Sequence, residues 1–299
     1  MPYIGRYAPS PTGPLHFGSL IAAVASYCDA KSQAGKWLLR IEDLDKPREV
    51  KGATDVILRQ LARFGFEWDD DIIFQSQRTQ YYAEALEQLK KLDLVYPCTC
   101  TRKEIADSSN IMGVEGLVYP NSCLQQPTKS NEPAAYRIKT NADCVCFHDV
   151  IQGEICQNLS TDIGDFVLKR ADGLFAYQLA VVVDDAASGI THIVRGCDLL
   201  NSTPRQIYLQ KLLGLKPPIY AHLPVATNAG GEKLSKQTKA ESIDMYVEGK
   251  ALFRALTFLG QQPPAETHRM QPQEIWGWAI ANWRLNKIPH QKCIFYNNV

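Results

Sequence analysis

The sequence predicts an α/β protein built on a doubly wound parallel sheet, and three observations carry that expectation. Strand-like and helix-like segments alternate through the first 95 residues, an order that places helices on the faces of a parallel sheet. A short apolar strand runs into a loop broken by Pro9, Pro11, Gly13 and Pro14, and then into an Ala- and Leu-rich helix after Gly18. Beyond a change of composition at residue 96, apolar runs at Ala176–Asp185 and Gly189–Gly196 return the chain to the sheet.

Each element has a local reason. Pro2-Tyr3-Ile4-Gly5 is short and apolar and ends in turn residues, so it reads as the first strand. Ser19 to Cys28 is long enough and apolar enough for a buried helix. Lys36–Ile41 reads as the second strand, ending at Glu42-Asp43-Leu44-Asp45. Residues 51–65 carry Val56, Ile57, Leu61, Ala62 and Phe64 at helical spacing. An acidic turn at 67–71 leads to a short strand at 72–74 and a helix from Arg78 to Leu92. Further on, residues 133–139 and 166–170 have strand character, and Thr203-Pro204-Arg205-Gln206 opens a helix reaching Leu213, with Pro in its first turn. Residues 241–299 read as helical, with segments at 251–259 and 272–285, and their tryptophans suit a core better than base stacking. This end is mildly basic, with five Lys or Arg and two acidic residues from 251 on, which suits a phosphate backbone.

The bulk properties are those of a globular protein. The 299 residues are 45% hydrophobic and 21% charged, with formal net charge zero. That balance argues against broad non-specific binding to nucleic acid but leaves room for a local basic patch. The N-terminus does not resemble a signal peptide and no apolar run reaches spanning length, so a cytoplasmic protein with no membrane partner is expected. Nine cysteines in a reducing compartment point to thiols and metal ligation rather than disulfides.

Cys98 and Cys100, followed by Tyr119 and Cys123, offer three thiolates and a phenol. Zinc takes four tetrahedral ligands, mostly sulfur and nitrogen, and a bound metal would explain how the weakly apolar stretch between them folds. A rival set, Cys144, Cys146 and His148, alternates along a candidate strand (145–151) and shares one face; these read as buried or edge residues of a strand. Cys28, Cys156, Cys197 and Cys293 read as small core residues.

The strand–loop–helix junction at Arg6–Ser19 makes an anion site, because the first turn of a helix leaves N–H groups unpaired and carries partial positive charge. His16 and Ser10 can add donors. The glycines fit neither GxGxxG nor GxxxxGK[ST] spacing. Far downstream, Gly230-Gly231-Glu232-Lys233-Leu234-Ser235-Lys236-Gln237 places two lysines three apart on a Gly-led loop that could fold over a triphosphate. Arg6 and Glu42 lie near the ends of two adjacent candidate strands, where ligands of such sheets collect. A guanidinium for a carboxylate and a carboxylate for an ammonium would suit a zwitterionic amino acid. A surface salt bridge is the other reading of the pair. Tyr177 and Arg195, polar beside apolar runs, are either part of that crevice or edge residues.

His16-Phe17-Gly18-Ser19 and Lys233-Leu234-Ser235-Lys236 together resemble the HIGH and KMSKS signatures of class I aminoacyl-tRNA synthetases. Arg6-x-Ala8-Pro9-Ser10-Pro11-Thr12-Gly13-x-Leu15-His16-x-Gly18, Arg40-Ile41-Glu42-Asp43-x-Asp45, Tyr177-x-Leu179-Ala180-x-Val182-Val183-Asp184-Asp185 and Ile190-Thr191-His192-x-x-Arg195-Gly196 are similar to glutamyl-tRNA synthetases in particular. The resemblance covers most of the first 240 residues. It implies a Rossmann-like catalytic fold in two halves, 1–95 and 134–240, split by a zinc-binding insertion at 96–133. It also implies a short helical region at 241–299 without an anticodon-binding domain. On this reading Arg6, Ser10, Glu42, Tyr177 and Arg195 hold L-glutamate, and Pro9, His16, Gly18, Ser19 and Lys236 bind Mg2+-ATP. His16, Lys233 and Lys236 are the catalytic groups, and Cys98, Cys100, Tyr119 and Cys123 match the zinc set of part of the family.

Departures narrow the resemblance. The chain ends some sixty residues after Lys236, Val181 stands where Asn is usual, and Cys197-Asp198 replaces an acidic pair. These features are similar to the truncated glutamyl-Q tRNA(Asp) synthetase branch. That branch implies ATP activation of glutamate without tRNA and transfer to queuosine in the anticodon stem-loop of tRNA(Asp), by a monomer. A compact synthetase charging a tRNA 3′ end and a non-catalytic tRNA-binding paralogue are the other expectations, and Val181 leaves open how the substrate pocket is completed.

Overall fold

The computed structural model describes residues 2–114, 116–125, 132–234 and 241–296. From the N-terminus the chain runs through β1 (Ile4–Tyr7), α1 (Phe17–Ser32), β2 (Lys36–Ile41), α2 (Ala53–Arg63), β3 (Ile73–Phe74) and α3 (Thr79–Lys91). Then follow β4 (Val95–Cys98), α4 (Arg102–Ser108), β5 (Met112–Gly113), β6 (Gly116–Leu117) and α5 (Ser122–Gln125). The next part holds β7 (Ala135–Ile138), β8 (Cys144–Asp149), β9 (Gly153–Asn158), β10 (Val167–Lys169), α6 (Tyr177–Ala187), β11 (His192–Gly196) and α7 (Thr203–Leu212). Last come β12 (Ile219–Leu223), β13 (Val225–Thr227), α8 (Glu248–Phe258), α9 (Pro272–Asn282) and β14 (Cys293–Phe295).

β2 lies parallel between β1 and β3. β12 lies parallel to β11, touches β8 at Tyr220 and Asp149, and β8 turns back as an antiparallel hairpin with β9. The two runs meet where the Thr191 amide donates to the Ile4 carbonyl at 2.9 Å. Across the sheet the order is therefore β3-β2-β1-β11-β12-β8-β9, and the direction of winding reverses between β1 and β11. Ligands of doubly wound sheets gather outside the carboxyl ends of the strands flanking such a reversal.

The apolar composition of α1 has a physical reading in its burial. Leu20, Ile21, Ala23, Val24, Ala25, Tyr27 and Cys28 are all buried, since the helix has the sheet on one side and α8 and α9 on the other. Each fully buried Leu, Ile or Val contributes about 1.5–3 kcal/mol. Trp276 and Trp283 are core residues here, as their composition suggested. Their indole N–H groups donate to the Phe64 carbonyl at 3.0 Å and to Asp29 at 2.9 Å.

Three local expectations need correction. Ala176–Asp185 was read as part of the return to the sheet, but Tyr177–Ala187 is a helix. A continuous run with three valines has no period that separates a strand from a buried helix, and Leu179, Ala180, Val181 and Val182 are buried together. The C-terminal stretch is not helical throughout, because Cys293–Phe295 adds a parallel strand to Val225–Thr227. Cys28 and Cys197 are core residues, whereas Cys293 is exposed and Cys156 lies on the exposed face of β9, joined to Cys146 by a disulfide. No described helix is long and apolar enough to cross a membrane.

Candidate active site

Arg195, the penultimate residue of β11 beside the reversal point, is only 5% exposed. Its Nε donates to His222 Nε2 at 3.0 Å, and Nη2 donates to Thr203 Oγ1 and Gln206 Oε1, each at 2.8 Å. The Leu199 carbonyl and the Tyr177 hydroxyl complete the set, each at 3.5 Å. His222 sits on the next strand, β12, and its Nδ1 lies 2.6 Å from Asp149 Oδ2. Because Nε2 accepts from Arg195, the ring proton belongs on Nδ1 and points at Asp149. Burial, aided by the Arg195 charge, pushes His222 down to about 4, against a hydrogen bond to Asp149 that acts the other way. The ring is thus neutral at ordinary pH. Among the described residues every group touching the guanidinium of Arg195 is a neutral acceptor. A buried cation without a carboxylate is a receptor for one supplied from outside.

A second cluster lies next to it at the ends of β1 and β2. Asp185, on α6, accepts from Arg6 Nε at 3.2 Å and from Arg40 Nη1 at 2.6 Å. Arg40 Nη2 also donates to Glu42 at 3.2 Å. Burial raises the Glu42 carboxyl above its usual range, against the pull of Arg40 and Arg6. Two arginines and two carboxylates leave this cluster neutral as a whole. The adjoining Asp184 takes Gln75 at 2.8 Å, Arg78 at 2.6 Å and the Tyr82 hydroxyl at 2.7 Å, tying α6 to the start of α3.

A cavity of about 220 Å³ touches each cluster at one residue, Glu42 and Tyr177, and its walls also include Ser10, Gln75, Arg170 and Phe175. Of the predicted glutamate-binding residues Ser10, Glu42 and Tyr177 line this cavity, while Arg6 and Arg195 stand behind it, Arg195 reaching the Tyr177 hydroxyl and Arg6 sharing Asp185 with Arg40. Arg6 and Glu42 are both largely buried and are not a surface ion pair. The Glu42 amide donates to the Pro9 carbonyl at 3.0 Å, which ties the loop after β1 to the end of β2. Val181 is fully buried in the apolar cluster behind the crevice and does not line it. The polar role on α6 falls instead to Gln178, which bonds Gln206 and Ser202, each at 3.0 Å.

His16 is the N-cap of α1, and its Nδ1 accepts from the Ser19 amide at 3.3 Å. In the neutral ring that leaves the proton on Nε2, the atom that would donate to a phosphate. The backbone of His16 also bridges Ser242. A Cβ on Gly18 would stand 3.1 Å from the His16 ring and 3.4 Å from the Leu234 carbonyl. Both flanks of the lysine loop, Leu234 and Ser242, thus dock on the helix start, and Gly18 permits the approach. Lys233 bridges Thr227 through its backbone and pairs through Nζ with Asp198. Lys236 and Ser235 lie outside the described residues.

The Cys98, Cys100, Tyr119, Cys123 set also comes together. Cys98 and Cys100 Sγ each lie 3.4 Å from the Tyr119 hydroxyl, and Cys100 Sγ is 3.3 Å from Cys123 Sγ. The three sulfurs lie within 4.8 Å of one another. Burial would raise the Cys123 thiol, but hydrogen bonding with Tyr119 and the Thr99 amide brings it down to about 7. Three convergent sulfurs and an oxygen fit a tetrahedral zinc ion. The set is braced from outside by Arg137, whose guanidinium stacks 3.9 Å over the Tyr119 ring.

Sequence reasoning assigned no role to Arg40, Asp185, Gln178, Thr203, Gln206, His222 or Asp149. Arg40 and Asp185 stood inside quoted motifs, so their polar chemistry on buried elements was the available signal. His222, a lone histidine between Ala221 and Leu223, offered none.

Comparison with known proteins agrees with this arrangement. Residues 4–288 match the family described as tRNA synthetases class I (E and Q), catalytic domain. The chain is 54% identical over 294 residues to a glutamyl-Q tRNA(Asp) synthetase of Dechloromonas aromatica, covering 98% of each chain. It is 52% identical over 290 residues to one of Aromatoleum aromaticum, covering 97% of this chain and 91% of that one. A glutamate-tRNA synthetase crystal structure from Elizabethkingia anophelis superposes with a TM-score of 0.80 at 25% identity, spanning all of this chain and 68% of that one. The chain belongs to the class I tRNA synthetase family of the E and Q type, and glutamyl-Q tRNA(Asp) synthetases are its near full-length relatives.

Proposed function

We propose that the protein activates L-glutamate with ATP and transfers the glutamyl group to queuosine in the anticodon stem-loop of tRNA(Asp). The observation that carries the reading is the buried guanidinium of Arg195, surrounded by neutral acceptors, on a strand that packs against the helix His16 caps. The full-length similarity to relatives named for that reaction supports the choice of acceptor. Arg195 and Tyr177 would receive a carboxylate of glutamate, and Glu42 its ammonium group, with Ser10 and Arg6 closing the crevice. His16, the amides near Gly18 and Ser19, Pro9 and Lys236 would hold ATP with its Mg2+.

In the first step the glutamate α-carboxylate attacks the α-phosphorus in line, a new oxygen–phosphorus bond forms, and pyrophosphate leaves. The protein supplies position and fixed charge with no covalent enzyme intermediate. In the second step a cyclopentene hydroxyl of queuosine attacks the acyl carbonyl, loses its proton, and AMP leaves. Zinc at Cys98, Cys100, Tyr119 and Cys123 would hold the insertion in shape and take no part in either step. The enzyme would act as a monomer in the cytoplasm, where tRNA resides.

Glutamate-dependent exchange of pyrophosphate into ATP in the absence of tRNA tests the first step, and its absence overturns the reading. Lys236→Ala should cut that exchange at least about 100-fold while changing glutamate affinity little; equal loss of both would remove the assigned role. Nuclease digestion and mass analysis of glutamylated tRNA(Asp) locates the acceptor. A glutamyl group on the 3′ terminal adenosine would identify a compact synthetase instead.

A further inference from the structure

The hairpin of β8 and β9 carries a second cluster of sulfurs that the proposed reaction does not use. Cys144 and Cys146 are two residues apart on β8, and Cys156 stands opposite Cys146 on β9, so all three side chains share one face. That face is open to solvent, and the three sulfurs lie within 4.8 Å of one another. Cys144 Sγ is 3.7 Å from Cys146 Sγ, and Cys146 is joined to Cys156 by a disulfide. His148 and Glu154, the next cross-strand pair on the same face, are also exposed.

Packing does not account for these cysteines. Free cysteine is among the most buried residue types, and the opposite face of the hairpin is the one that packs. There Val145 and Phe147 turn inward, with the Phe147 ring 5.7 Å from that of Tyr220. Three exposed sulfurs so close together are a soft-donor set, the kind that selects thiophilic d10 cations such as zinc(II) or copper(I).

We propose that the β8–β9 hairpin, once its disulfide is reduced, binds one thiophilic d10 cation through Cys144, Cys146 and Cys156, separately from the Cys98, Cys100, Tyr119, Cys123 set. The two states of the hairpin exclude each other, because the disulfide consumes two of the three donors. Reduction by a tertiary phosphine breaks the sulfur–sulfur bond, water supplies the oxygen of the phosphine oxide, and two thiols form. Metal binding then releases the three thiol protons. Zinc would keep a fourth position for water, whereas copper(I) is content with three sulfurs.

Metal content of the phosphine-reduced full-length protein tests the proposal, in one arm with zinc and in another with copper(I) against a competing chelator. The expected result is about two equivalents per chain, falling to about one in the Cys144→Ser/Cys156→Ser double variant, with far-UV circular dichroism unchanged. With cobalt(II) in place of zinc, the same variant should lose part of the sulfur-to-metal charge-transfer absorption. An unchanged metal content in the double variant, in both arms, overturns the proposal. Retention of the second equivalent by protein whose Cys146–Cys156 disulfide is verified intact by mass spectrometry overturns it as well. Because the variant residues are exposed and outside the crevice, pyrophosphate exchange should stay at the wild-type rate, so failure here would leave the synthetase reading intact.

Discussion

Two guanidinium centres stand on neighbouring strands of the sheet and are wired in opposite ways. Arg6 and Arg40 share Asp185, and Arg40 also reaches Glu42, so their charge is answered inside the protein. Arg195 is equally buried but among the described residues touches only neutral acceptors, and the carboxylate of its network, Asp149, acts through the proton of His222. The first cluster holds α6 against β1 and β2 through its paired charges and presents one of its carboxylates, Glu42, to the cavity. The second carries a positive charge that no described carboxylate answers, which is the feature the proposed binding of glutamate uses. The identity of the partner, charged or neutral, is what tells these buried arginines apart.

The comparison can be broken in graded ways. The largest effect should come from Asp185→Asn, which leaves Arg6 and Arg40 buried without their shared charge and should cost about 3–5 kcal/mol in urea unfolding. A loss of less than about 1 kcal/mol would mean that the cluster is not structural. Arg195→Ala should leave folding closer to wild type but reduce kcat/KM for glutamate about 100-fold in pyrophosphate exchange, with KM for ATP little changed. If Arg6→Ala and Arg195→Ala lost the same activity and the same stability, the division of labour would be wrong.

A smaller effect separates the two centres by pH. Burial holds His222 at about 4 in the folded protein, below its ordinary 6.5. Between those values the unfolded chain binds a proton that the native chain refuses. The stability gained by keeping the ring neutral is therefore complete above pH 6.5 and is drawn down as pH falls toward 4. His222→Gln should flatten the dependence across that window while keeping an acceptor for Arg195 Nε; an unaltered slope would assign it to other groups. The smallest effect concerns Lys233, whose pair with Asp198 is half exposed. Lys233→Ala should change stability by no more than about 1 kcal/mol in the same unfolding measurement, leaving any loss of exchange to be read as loss of function.

Much of the catalytic frame was legible because it rests on local rules. The breaker-rich loop between a strand and an apolar helix announced β1 and α1, whereas the cap at His16 and the docking of Leu234 and Ser242 on the same turn came from the structure. A strand at 145–151, found at Cys144–Asp149, followed from alternation, and so did the shared face of Cys144 and Cys146. The exposure of that face did not follow, because alternation says which residues share a side and not which side is covered. The helix Tyr177–Ala187 was missed for a related reason. Its valines satisfy a buried strand and a buried helix equally well, and only the polar ends, Gln178 toward Gln206 and Asp185 toward Arg6, show the helical phase.

By itself the sequence determined the elements whose signals lie within a few residues: the loop-to-helix junction after β1, the parallel strands around it, the cysteine spacing at 98–123 and the family motifs. The tertiary structure alone decided which charges are answered and which are not. Arg195, His222 and Asp149 come from three strands, up to 73 residues apart, and their pairing depends on strand order and burial. Burial removes water as the alternative partner, so the choice between carboxylate and neutral acceptor becomes a difference of several kcal/mol. No local pattern records that choice, and it is the one that makes a crevice into a receptor.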